Sequence, residues 1–498
     1  MKHWIAAACL SAATAAPAAP RDWVEANKGA ILAEYVQLLG IPNVATNRDD
    51  IRRNADHIME MMRTRGLSPR LLESEDGKAP PLIYGEWKAP GAKRTLVIYA
   101  HYDGQAVTPA DWKVTEPFQP RLLSNRPDRG GTALAQTDML GGIGDDWRLY
   151  ARSASDDKAG VMAILSAIDA LKAEGKKPAF NVKIVLEGEE EQGSPNLAAL
   201  LRRHKETLAS DGWVIIDGPA HQSGPQQVAL GVRGDINMHV TVHGPSRPLH
   251  SGHYGNWAPN PAMMLAQLLA SMKDDSGKVT IAGFYDDVVP LTPAEKAAIA
   301  AVPAPDETLK RELGLARAEG GGASLTEAIQ LPSLNVNGIR SADVLDKARN
   351  VVPTSATATL DLRLVLGNDP QRQIEKVVRH IRAQGYEVLD REPTQEERLR
   401  FPRIATVTKG SGYPAERTVL DHPLPQGVIK ALKDRGVIVL PSLGGSLPLY
   451  LIRQELGAPT VTLGLWNHDN NQHAEDENVR LGHLWAGIEA VAAVMSAR

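Results

Sequence analysis

Across 498 residues the sequence holds a single cysteine, Cys9, and it lies within the first twenty positions. If that segment is a cleaved leader, the mature chain would carry neither a thiol nor a disulfide, which would exclude a disulfide-stapled scaffold and a catalytic cysteine. No excess of either charge sign is present. The formal net charge is -4, with acids and bases interspersed, so there is no electrostatic footprint for nucleic acid or for an anionic membrane surface. Beyond the N-terminus no segment approaches the roughly 20 apolar residues of a membrane helix, and no internal repeat or low-complexity tract is visible. What remains is a globular chain, 43% apolar and long enough for roughly two to four domains, whose expected partners are small solutes.

Lys2 and His3 precede an apolar stretch, Trp4 to Ala16, followed by small residues. This pattern predicts a signal peptide over residues 1–19, cleaved between Ala16 and Ala19, and hence an exported protein, periplasmic or secreted. Cys9 as a lipidation site is the alternative, although Ala6, Ala7 and Ala8 match that signal poorly.

Short apolar runs alternate with helical stretches, which predicts an α/β architecture with a mainly parallel central sheet. Thr95 to Ala100, Val182 to Leu186, Trp213 to Ile216 and Thr460 to Leu465 read as buried strands. Each leads into His, Asp or Glu. Ligands of open parallel sheets bind beyond the carboxyl ends of the strands, so these polar residues are expected on one rim. From about Val228 a second pattern begins. Asn237 to His243 alternates, Pro261 to Met272 repeats at helical spacing, and Ser355 to Val365 alternates again before a helix from Pro370 to Gly385. The order βαββαβ predicts a ferredoxin-like insertion. The division read from the sequence is a catalytic domain over 20–227 and 396–498, with an inserted lid and dimerisation domain over 228–395. Asp274 to Glu327 reads as turns and loops of no assignable chemistry, and Pro120 to Asp146 as a surface loop.

The chemistry begins at His101-Tyr102-Asp103. Strand alternation sets both polar side chains on one face, so the imidazole can bind a metal while the carboxylate takes its second ring nitrogen. Two polar residues closing a strand by ordinary hydrogen bonds would look the same. Asp156-Asp157-Lys158 opens a helix, where carboxylates also serve as caps. Glu187, Glu189, Glu190 and Glu191 crowd behind a strand, and such charges repel unless solvent or a cation compensates them. Asp217-Gly218 ends the next strand and can equally be a turn. His468 and His473 both follow the final strand.

In this order the His-x-Asp, Asp-Asp-Lys, Glu-Glu-x-Gly-Ser, strand-end Asp and late His resemble the dizinc metallopeptidase family of carnosinase-like dipeptidases, aminoacylases and glutamate carboxypeptidases, from about Trp23 to Ala497. The resemblance implies two zinc ions per subunit, with manganese or cobalt as substitutes. One ion would be held by His101, Asp156 and Asp217, the other by Asp156, Glu191 and His473, with Asp156 bridging and the Asp156-Asp157 peptide bond cis. It implies Glu190 as general base, with Glu189 left without a role and Asp103 behind His101. Arg363, Gly445 and Ser446 would bind the substrate carboxylate. His250 would stabilise the oxyanion from the partner subunit of a homodimer. Asn337 and His422 match family motifs only loosely. The expected reaction is amide hydrolysis in dipeptides or short peptides by a dipeptidase or carboxypeptidase. The alternatives are an N-acyl amino acid amidohydrolase and a non-catalytic metal- or solute-binding envelope protein.

Overall fold

The computed structural model describes residues 20–497. An eight-stranded sheet forms the larger unit, in the spatial order 70–72, 82–87, 181–187, 95–101, 212–215, 460–464, 227–229 and 438–440. The four strands at its centre run parallel to one another, and the outer strand 82–87 is antiparallel to its neighbour. These central strands are buried on both faces, as continuous apolar runs require. In Thr95–His101 alternation sends Leu96, Ile98 and Ala100 to one core layer and Val97 and Tyr99 to the other. Helices Pro20–Leu39, Arg48–Thr64, Lys158–Ala173 and Leu481–Ser496 cover the first face. Leu197–Arg203 and Leu449–Leu456 cover the second.

A second sheet has the order 333–340, 355–364, 231–243, 404–413 and 387–389. Helices Pro261–Ala270 and Pro370–Ala383 bury Leu265, Leu268, Ile374, Val377 and Ile381 against it. In chain order its four long strands and two helices run βαββαβ, with the spatial order of a ferredoxin-like fold. One boundary differs from the sequence reading. Ile404–Tyr413 pairs along Gly231–His243, so this sheet extends past residue 395. Strand Gly231–His243 also joins the two units, because Val232, near its start, pairs with Leu443 on one side and Glu416 on the other.

The segment expected to be a surface loop contributes Arg121–Leu123 to a small antiparallel sheet with Arg148–Tyr150 and Asn478–Arg480. The segment 274–327 forms short helices, Pro293–Ala300, Asp306–Glu312 and Leu325–Ala328, the last continuing through its cap, Ile329. Among the described residues no helix is long and apolar enough to cross a membrane.

Candidate metal centre

The carboxyl ends of the central strands converge on a cavity of about 530 Å³ between the two units. His101 closes strand Thr95–His101 and is fully buried. Its Nε2 lies 2.9 Å from Asp156 Oδ1, 3.8 Å from Asp217 Oδ2 and 3.9 Å from Glu190 Oε2. Its Nδ1 faces Asp103 Oδ1 at 3.3 Å. The Asp103 carboxylate in turn accepts the backbone N–H groups of Glu190 and Glu191. One buried side chain therefore registers the imidazole against the glutamate turn.

Asp156 and Asp157 are joined by a cis peptide bond and face different surroundings. Asp157 caps helix Lys158–Ala173 through Gly160 N, and also accepts from His101 N and Trp466 Nε1. Asp156 faces the cavity. Its Oδ2 lies 3.0 Å from His473 Nε2 and accepts Gln472 Nε2 at 3.0 Å. His473 also stands 3.2 Å from Glu191 Oε2. His468 is exposed and makes neither contact, so geometry separates the two histidines that the sequence leaves in competition.

Ligand atoms of Asp156, Glu191 and His473 lie within 4.8 Å of one another, as do those of His101, Asp157 and Asp217. Because Asp157 is committed to its cap, Asp156 is the carboxylate that can complete the second group while belonging to the first. The electrostatics fit cations at this place. Burial raises the proton affinity of Glu190 well above the carboxylate range, against the pull of His101 and with the help of Asp217, Glu191 and Asp156. Burial and Asp156 push Asp217 up to about 7. Burial also raises Glu191, followed by the charge of Asp156. His101 is held well above its ordinary value because Asp103 and Asp156 outweigh its burial. The bonds to Asp156 and Glu191 lift His473 to about 11. Carboxylates and imidazoles in this number and spacing form a donor set suited to divalent metal ions, zinc among them.

Arg363, Gly444, Gly445 and Ser446 also line the cavity. Arg363 Nη1 donates to Ser446 Oγ at 2.9 Å, and its Nε pairs with Asp361 at 3.3 Å. His250 is exposed, with Nδ1 accepting Gly252 N, and does not line the cavity of its own chain. Asn337 and His422 are also absent from the cavity wall. His422 caps helix Pro423–Ala431, and Asn337 accepts from Asn335.

The sequence reading leaves Glu189 without a role and passes over Gln105, Tyr413, Leu325, Thr326 and Ile329, all of which the structure places at the site. Glu189 accepts Asn196 N and Nδ2 at 2.8 and 2.9 Å, which fixes the glutamate turn to the following helix. Gln105 donates to Glu191 Oε2 at 2.8 Å. Tyr413, stacked on Tyr450 with ring centroids 5.7 Å apart, lines the cavity. So do Leu325, Thr326 and Ile329, which belong to the segment read as chemically silent or follow it directly.

The chain is 24% identical over 484 residues to the Cys-Gly metallodipeptidase dug1 of Schizosaccharomyces pombe, covering 94% of this chain and 95% of that one. It is 25% identical to the Beta-Ala-His dipeptidase of Mus musculus, over 86% of this chain and 81% of that one. Among solved structures it superposes on the M20 family metallo-carboxypeptidase Sso-CP2 from Sulfolobus solfataricus with a TM-score of 0.73 and 27% identity, covering 93% of this chain and 98% of the other. The location expected from the N-terminus is overturned here. The yeast relatives that it matches along most of its length are Cys-Gly metallodipeptidases, and the predicted signal peptide at 1–19 lies outside the described residues. The model of peptidase family M20/M25/M40 matches residues 97–497, from the first central strand to the last helix, and the chain belongs to that family.

Proposed function

We propose that this metal-dependent peptidase cleaves dipeptides and other short peptides with a free C-terminal carboxylate, using Glu190 as its general base. The observation that carries this reading is the place of Glu190. It lies in the same cavity as Asp156, Glu191, Asp217 and His473, yet stands outside both groups of converging ligand atoms. A binding protein has no use for such an uncommitted, proton-attracting carboxylate.

His101, Asp156 and Asp217 would hold one ion and Asp156, Glu191 and His473 the other, zinc first and manganese or cobalt as substitutes. Bound there, the pair supplies Lewis acidity for the scissile carbonyl and a source of nucleophilic water at neutral pH. Glu190 takes the proton of the attacking water at a carboxylate oxygen and returns it to the leaving nitrogen. Asp103 fixes the His101 ring through Nδ1. Arg363 and Ser446, joined at 2.9 Å, present a guanidinium fork and a hydroxyl to the substrate carboxylate, beside the backbone of Gly445. The unit built on the second sheet serves as lid and dimerisation domain, and its His250 reaches the site of the partner subunit. Hydrolysis across a panel of dipeptides and N-acyl amino acids, with zinc or manganese supplied, tests the reading. Turnover of dipeptides is expected. Preference for N-acyl amino acids would move the assignment to an amidohydrolase, and no turnover on any member would refute it.

A further inference from the structure

Glu477 is fully buried and lies four residues after His473, just before strand Asn478–Arg480. All five hydrogen bonds its carboxylate accepts come from one short segment. Oε2 accepts Arg152 Nη1 at 2.7 Å and Ser153 N at 2.8 Å. Oε1 accepts Ser155 N, Ser155 Oγ and Asp156 N, each at 2.9 Å. The last of these is the backbone of the residue whose side chain faces both ligand groups. Arg152 Nη2 closes the circuit by donating to Ala474 O at 3.1 Å, beside His473.

Both joined segments hold backbone that needs such support. Ser153 has φ 62, and Asn471, His473 and Asp476 have φ 56, 63 and 56. The left-handed region disfavours residues with a Cβ, so surrounding bonds must over-determine them. Glu477 supplies that for Ser153. Asp476 Oδ1 accepts Lys113 N and Val114 N at 3.0 and 2.9 Å, and Asp469 pairs with Arg148 at 2.8 Å and Arg126 at 3.0 Å. The loop carrying His473 is thus fastened on both sides, and the Glu477 carboxylate fastens it to the backbone N–H groups of Ser153, Ser155 and Asp156.

We propose that Glu477 is a positioning residue for the metal centre, setting Asp156 and His473 in one frame so that both arrive pre-arranged. This rests on the reading that Asp156 and His473 are ligands. Removing the carboxylate would leave three backbone N–H groups and a buried guanidinium without their acceptor, all of them within residues 152–156. The expected damage therefore falls on the ligand frame.

The test compares the full chain with Glu477→Gln and Ser155→Ala. Zinc affinity is measured by competition with a chromogenic chelator, the absorption spectrum is recorded with cobalt bound, and the Tm of each metal-free protein is recorded alongside. Glu477→Gln is expected to weaken zinc binding by about 10- to 100-fold, the range seen when groups supporting metal ligands are lost, and to alter the cobalt spectrum. Ser155→Ala removes one contact and no charge. It should shift both readouts in the same direction by less, with a metal-free Tm close to that of the parent. Parent-like zinc affinity and cobalt spectrum in the folded variants would overturn the proposal, and if Glu477→Gln does not fold, Ser155→Ala decides alone. A parent chain that binds no pair of ions would instead refute the reading of the centre on which the proposal stands.

Discussion

Asp103 sits 3.3 Å behind the Nδ1 of His101 while its two oxygens accept the backbone N–H groups of Glu190 and Glu191. A single carboxylate thus sets the angle of a candidate ligand and the position of the turn that carries the candidate base. Asp103→Asn keeps the shape and removes the charge. It is expected to lower zinc affinity or kcat/KM by about 10- to 100-fold. Chelator competition and steady-state kinetics on the same preparation check this, and a change below twofold in both would contradict it.

Glu187 ends strand Asn181–Glu187, fully buried, with Tyr99 Oη donating to it at 2.7 Å. Burial pushes its carboxyl up to about 8, the nearby Ser194 and Tyr99 hydroxyls opposing only in part. A carboxyl whose folded value is raised contributes stability that is complete below its unfolded value and is lost as pH rises through the folded one. The metal-free protein should therefore lose Tm between about pH 5 and 8, in part through Glu187. Glu187→Gln should flatten that slope. Tm measured against pH for both metal-free proteins gives the answer, and parallel curves would count against the assignment.

Arg363 and Ser446 face the cavity from the second unit and from the short strand Leu443–Ser446, which follows strand Ile438–Leu440. Replacing Arg363 by Met removes a charge-assisted donor worth about 1.5–3 kcal/mol, so KM for a free dipeptide should rise by about 10- to 100-fold with a smaller change in kcat. A substrate with an amidated C-terminus should lose much less. Equal losses on both substrates would remove Arg363 from carboxylate binding.

The parts of this site that the sequence makes legible are those attached to strong local patterns. His101, Glu190, Glu191 and Asp217 each follow an apolar run, and a buried parallel strand can deliver polar residues only at its end. Glu477 is different. It stands in a run with Glu475 and Asp476, and only the fold separates the exposed Glu475 from the buried Glu477. The sequence reading puts strand Ile404–Tyr413 in the catalytic unit, because its partner, Gly231–His243, is distant in sequence and pairing at that range leaves no local mark. Leu325 and Thr326 escaped for the same reason. Their segment is short helical turns, and its closeness to the cavity depends on where the second sheet docks.

His250, exposed and outside the cavity of its own chain, leads to a prediction about assembly. If it completes the partner's site, a mixture of Glu190→Ala and His250→Ala subunits forms dimers with one intact site and one doubly deficient site. Two nearly inactive preparations should then regain activity when subunits exchange. Verified exchange without recovery would show that His250 has no catalytic part across the interface.

The account stands or falls most directly on Glu190→Gln, with bound metal and turnover measured on one sample. Every candidate ligand remains in that variant, and only the proton carrier is gone. The prediction is two metal ions per chain, as in the parent, with kcat for a dipeptide lowered by about 10²- to 10⁴-fold, the usual contribution of a general base. Loss of an ion would place Glu190 among the ligands, and an unchanged kcat would show that the water's proton goes elsewhere.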